Sequence, residues 1–266
     1  MEHLKYILLL LIPLLLGCEK VIDADLNDAS PAIVIEGNVG DLPHLAEVKI
    51  SKTSSYFDDE SGEKISGASV VVESVSGRNY QLFETEPGVY RSGRVPMLPG
   101  VSYSLKVEVE NNIYEAVSTI NPRVKIDSLS YFYEEGFAFI DDGYILQVYF
   151  VDPENVDNYY RLKVYNNGDP DEVTSDFIIF SDRYFDGQLV EITLRNMKFK
   201  PDDLITAQLF AIDKDVFEYY STLEELMNNN PGSAAPANPN TNLSNDALGY
   251  FAAWMSDIKS IVIKVE

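Results

Sequence analysis

From Pro31 onward the chain alternates apolar and polar positions with a period of two, interrupted at short intervals by Gly, Asn, Asp and Pro. In "YSLKVEV", Tyr103, Leu105, Val107 and Val109 fall on one side while Lys106 and Glu108 fall on the other. That is the pattern of a strand with one buried face. The other such runs before Pro122 are "AIVIEGN", "AEVKISK", "ASVVVES", "NYQLFET", "GVYRS" and "IYEAVSTI". Closely spaced short strands with turn residues between them predict a β-sandwich over residues 31–122. Asn111 and Asn112, between "YSLKVEVEN" and "IYEAVSTI", predict a hairpin turn.

The pattern breaks at "INPRVKIDSLS" and restarts, which places a boundary near Pro122. A C-terminal β-rich domain, residues 123–266, follows with strands at "SLSYFYE", "YILQVYFVD", "YYRLKVYNN", "DFIIFSD", "LVEITLR" and "LITAQLFAID". The spacing then changes to that of a helix over about 215–228, with Asp215 as cap and Glu218 completing a capping box. Val216, Phe217, Tyr220, Leu223 and Met227 form its apolar stripe. "SIVIKV" predicts a closing strand. The fold class expected is mainly β: two β-sandwich-like domains, of immunoglobulin or transthyretin type, with one helix late in the second.

Residues 228–246 are rich in Asn and Pro and carry one large apolar side chain, Leu243. Loops of this length are usually functional or disordered. The aromatic cluster that follows, Tyr250, Phe251 and Trp254, is therefore a candidate partner contact.

The start of the chain has a different pattern. Ten apolar residues, Ile7 to Leu16, follow a short polar stretch. They are too few to span a bilayer, which takes roughly 20, and fit a secretory signal over residues 1–17. The signal ends Leu15-Leu16-Gly17-Cys18, which resembles the bacterial lipobox. That resemblance implies a diacylglycerol on Cys18 and cleavage before it, with residues 18–30 as the linker behind the anchor. Two or more acyl chains hold a protein stably at a membrane. Cys18 is the one cysteine in the chain, so no thiol remains for a disulfide, a nucleophile or a metal.

The formal net charge is −23, from 20 Lys and Arg against 43 Asp and Glu. Such a field repels nucleic acid. With the signal removed, His44 in the turn-like "GDLPHLAE" is the one remaining histidine. A zinc site of N/S type needs more ligands than that. No G-x-S-x-G elbow, P-loop or G-x-G-x-x-G accompanies it. Paired carboxylates occur at Asp58-Asp59, Glu134-Glu135, Asp141-Asp142 and Asp202-Asp203, but neighbours on a strand point to opposite faces. "DPENVDN" and "NNGDPDE" could hold calcium in a turn, and turn chemistry alone explains the same residues. No catalytic residue, cofactor or metal site is expected, and a carboxylate-dependent glycan hydrolase stays as the competing class.

"CEKVIDADL", "PAIVIEGNV", "ISGASVVVESVSGRNYQLFETEPGVYRS", "LPGVSYSLKVEVENNIYEA", "IDSLSY" and "NPNTNLSNDALGYFAAW" occur here in that order. Together they resemble the domain-of-unknown-function 4249 family of Bacteroidota outer-membrane lipoproteins. Members tend to be encoded beside TonB-dependent receptors. The resemblance thus implies an accessory role in uptake, with an outer-membrane receptor as partner, and the absence of catalytic motifs favours a non-enzymatic one. Acidic residues soon after the anchor, here Glu19, Asp23 and Asp25, relate in such proteins to export onto the cell surface. Here Lys20 is followed by Val21 and Ile22, so either face of the outer membrane stays open.

Overall fold

The period-two runs become strands wherever turn residues bound them. The structure is a computed structural model that describes residues 31–40, 45–53, 62–136, 141–167, 173–228 and 238–265. The first half forms β1 (Ile33–Gly40), β2 (Leu45–Lys52), β3 (Ser69–Ser74), β4 (Asn79–Glu86), β5 (Val89–Arg94), β6 (Ser102–Val109) and β7 (Asn112–Thr119). The second forms β8 (Ile126–Glu134), β9 (Gly143–Val151), β10 (Tyr159–Asn166), β11 (Val173–Ser181), β12 (Leu189–Thr193) and β13 (Leu204–Ile212), then helix α1 (Lys214–Asn228) and β14 (Leu248–Val262).

Eleven strands join in one sheet, in the order β11-β10-β13-β14-β1-β2-β5-β4-β3-β6-β7. The seven strands from β1 to β7 curl around a core that includes Ile35, Val48, Val70, Tyr90 and Leu105. In the second half a three-stranded sheet, β12-β9-β8, faces β10, β13 and β14. Leu146, Val148 and Phe150 of the small sheet meet Tyr160, Leu162 and Leu209 of the large one in a second core. The two cores are separate, but the first also takes Leu243, Ala247, Phe251, Ala253 and Met255 from beyond residue 122, and the strand ladder runs on without a break. Pro31–Glu266 is one compact unit.

β14 joins the halves. Residues 248–254 pair in parallel with β1, and residues 255–262 pair antiparallel with β13. Phe251 and Ala253 enter the first core, while Ala252 and Trp254 pack on the opposite face beneath α1. The parallel pairing demands glycine at 249. Its φ is +99°, and a Cβ there would lie 2.1 Å from the Ile35 carbonyl oxygen. Only glycine adopts that conformation without strain.

Four expectations are corrected. The closing strand is not confined to "SIVIKV" but begins at Leu248. The hairpin turn is Glu110-Asn111, both with positive φ, with Asn112 already paired to Val109. Asp213, not Asp215, caps α1: its Oδ1 accepts the Val216 N–H at 3.0 Å. Its other carboxylate oxygen is held by β7, taking the Thr119 N–H at 3.0 Å and the Ser118 hydroxyl.

The fourth correction concerns the Asn/Pro-rich stretch, whose described end, residues 238–247, is built structure. Leu243 and Ala247 are buried in the first core. Asn242 accepts the Phe251 N–H at 3.0 Å and donates to the carbonyls of Phe251 at 2.8 Å and Val117 at 3.3 Å. Ser244 and Glu115 exchange two bonds of 2.8 Å. Ser118 Oγ takes the Ala253 N–H at 2.7 Å. These side chains satisfy backbone groups where β7 returns to β14, in place of a ladder.

Candidate functional site

Two strand edges and the end of a helix meet on one side of the second half. β11 ends the large sheet and β12 ends the small one. Between them, under the last turn of α1, lies a hollow of about 610 Å³. Ile178 and Ile179 of β11 line one wall, and residues 192–197 from β12 onward line the other. Glu224, Met227 and Asn228 form its rim.

Hydrogen-bond alternation shows which backbone groups open into this seam. The Asp182 N–H bonds Asn158 of the loop before β10, so Phe180 and Ile178 also face β10. Ile179 and Ser181 therefore turn their N–H and C=O groups outward. On β12, Gln188 and Leu194 bond β9 and the residue after it, so Val190 and Ile192 face inward and Thr193 faces out. The Thr193 carbonyl accepts the Arg195 N–H at 3.2 Å, and its own N–H points into the open side.

Apolar side chains share the half-open lining with Thr193, Arg195, Asn196, Glu224 and Asn228. Met227, expected in the buried stripe of the helix, is 63% exposed because the last turn overhangs the sheet edge. Arg195, the one cation in the lining, is engaged by Glu134 of β8 and lies 5.6 Å from the Phe132 ring centre. Lys198 reaches the other Glu134 oxygen at 2.6 Å. That hydrogen bond and the two cations hold the Glu134 carboxyl below its ordinary range. Glu224 has no ion-pair partner among the described residues.

The expected partner-contact residues lie elsewhere and point inward. Phe251 is fully buried in the first core. Trp254 stacks edge-on against Phe210, and Tyr250 against Tyr219 and Tyr220 of α1. The Arg161 guanidinium stands 4.2 Å from the Tyr220 ring centre and donates to its hydroxyl at 2.7 Å. Burial pushes the Tyr219, Tyr220 and Tyr250 hydroxyls up, so they stay neutral. The cluster seats the helix on the sheet. Its aromatic content gave sequence reasoning a signal, but for packing.

Cys18, His44 and Asp58-Asp59 lie outside the described residues. The β8–β9 hairpin brings Glu134-Glu135 and Asp141-Asp142 to one end. There Asp142 accepts the Tyr133 hydroxyl, while Glu134 is held as described. Asp203 accepts the Lys200 N–H at 2.8 Å, and Asp202 is a turn residue with positive φ. "DPENVDN" contributes Asp152 to a cluster with Asp182 and Asp186, whose ligand atoms lie within 4.8 Å of one another. These are the described residues that could hold a cation. Each also accepts a bond from the surrounding loops: Gly187 N–H and the Tyr160 hydroxyl to Asp152, Asn158 N–H to Asp182, Asn155 N–H to Asp186. "NNGDPDE" is described only at Asn166 and Asn167.

The seam residues had no motif to announce them. They come from three separated segments, and their shared property is an unpaired edge, which only topology shows. No curated protein matches the chain. The family model described as Domain of unknown function (DUF4249) matches residues 19–260, nearly the whole chain, and the chain belongs to that family.

Proposed function

We propose that the chain is a lipid-anchored accessory protein of the bacterial outer membrane, which binds through the β11–β12 seam and partners a TonB-dependent transporter in uptake. Cys18 would carry the lipid, since it closes a lipobox-like segment behind an apolar run too short to span. No helix among the described residues is long and apolar enough to cross a membrane. The transporter partner follows from the family resemblance. The observation that carries the binding role is the seam, a hollow of about 610 Å³ lined by apolar and polar side chains alike, with an exposed methionine at its mouth. Methionine-lined surfaces adapt to several partners.

The test is affinity purification of the tagged chain from detergent-solubilised outer membranes. A β-barrel protein in stoichiometric amount is the expected result. Met227→Glu and Ile179→Glu should weaken its recovery by about tenfold while leaving the melting temperature within a few degrees. A membrane-bound chain that purifies without any barrel overturns the reading.

A further inference from the structure

We propose that the seam captures an extended, cationic segment of a partner protein as an added strand on β11. The proposal rests on the reading of the seam as the binding surface and names the chemistry of what enters it.

Consecutive residues line the hollow on both sides, Ile178 with Ile179 and Ile192 with Thr193. Side chains on a strand alternate between faces, so a hollow touching neighbours runs along the strand edge, where the backbone itself is presented. Ile179 offers an outward N–H and C=O, and Thr193 an outward N–H. A purely apolar occupant would bury those groups without partners, which weakens binding. An extended peptide supplies a donor and an acceptor at every second residue, and its alternate side chains reach the apolar walls.

Charge selects among peptides. Arg195 is taken by Glu134, which leaves Glu224 as the uncompensated charge of the lining. Residues 123–266 hold 11 Lys and Arg against 25 Asp and Glu. A segment carrying Lys or Arg beside Val, Ile or Leu is therefore drawn in, and an acidic one is repelled.

The test uses the purified full chain in detergent and a labelled peptide of about nine residues alternating Lys and Val, followed by fluorescence anisotropy. Two comparison peptides are the same sequence N-methylated at alternate residues and one with Glu in place of Lys. The Lys/Val peptide should bind at least tenfold more tightly than either. It should slow deuterium exchange at the Ile179 and Ser181 amides by about tenfold. Glu224→Lys should weaken it about tenfold, and raised salt should do the same. Ile179→Pro removes an outward donor without touching the β10 ladder, as edge positions allow. If that variant fails to fold, Glu224→Lys and the N-methylated peptide still decide the matter.

Equal binding of the N-methylated peptide, or protection outside β11 and β12, overturns the proposal. So does dodecanoate filling the seam while the peptide gives no protection, which would assign it to a small amphiphile. If the peptide fails while the seam variants still lose the barrel partner, strand capture falls and the accessory reading stands.

Discussion

Asp213 does three jobs with one carboxylate. It caps α1 through Val216, holds the Thr119 N–H, and accepts the Ser118 hydroxyl. Burial raises its pKa above the ordinary 3.8, and nearby Asp215 adds to the rise, against the three donors that lower it. A folded-state value above the unfolded one means that the native state binds more protons in that window. The contribution to stability is complete below about pH 3.8 and is lost as pH climbs through the raised value. The difference in melting temperature between wild type and Asp213→Asn should therefore shift in favour of the Asn variant as pH rises above about 3.8. The opposite slope across that range rejects the assignment. Gly249 gives a simpler expectation. Gly249→Ala forces a Cβ against the Ile35 carbonyl at positive φ, and should cost about 3 kcal/mol or more in denaturant unfolding.

At the scale of elements, the junction of β7 with β14 depends on Asn242. Asn242→Ala orphans the Phe251 N–H and should destabilise by about 1–3 kcal/mol, with faster exchange at that amide. An unchanged exchange rate would show that water replaces the side chain at no cost. The same region marks where the sequence became hard to read. The seven strands of the first half were legible because each keeps one polar face. The first part of β14 was not, since "GYFAAWMS" is buried on both faces and carries no alternation. Its lead-in resembled a loop because Asn242, Ser244 and Asn245 bond backbone through their side chains, which period analysis does not register. The helix was legible. Its cap was misplaced by two residues because both aspartates precede an apolar stripe, and the contacts with Ser118 and Thr119 of β7 separate them. The seam was invisible, because an edge strand and a central strand of like composition differ only in what lies beside them.

For the whole molecule, the charge and the proposed anchor act at a distance from any site. Cys18→Ala should leave a chain that folds with an unchanged melting temperature but no longer partitions with outer membranes. Retention of the variant through high-salt and carbonate washes would remove lipid attachment from the account. With a net charge of −23, association with a basic partner should also fall steeply between low and physiological salt.

The position of β14 has a consequence for how the protein is made. It is the last of the described strands to leave the ribosome, yet it supplies Phe251 to one core and lies between β1 and β13. A nascent chain stopped before Leu248 holds every other described strand and can finish neither half. Contacts joining the first and last strands are slow to form, because a long loop must close before they reward it. The polypeptide thus stays loose until β14 has emerged. A ribosome-stalled chain ending at Asn245 should be cut by protease throughout, and one extended past Val262 beyond the exit tunnel should resist.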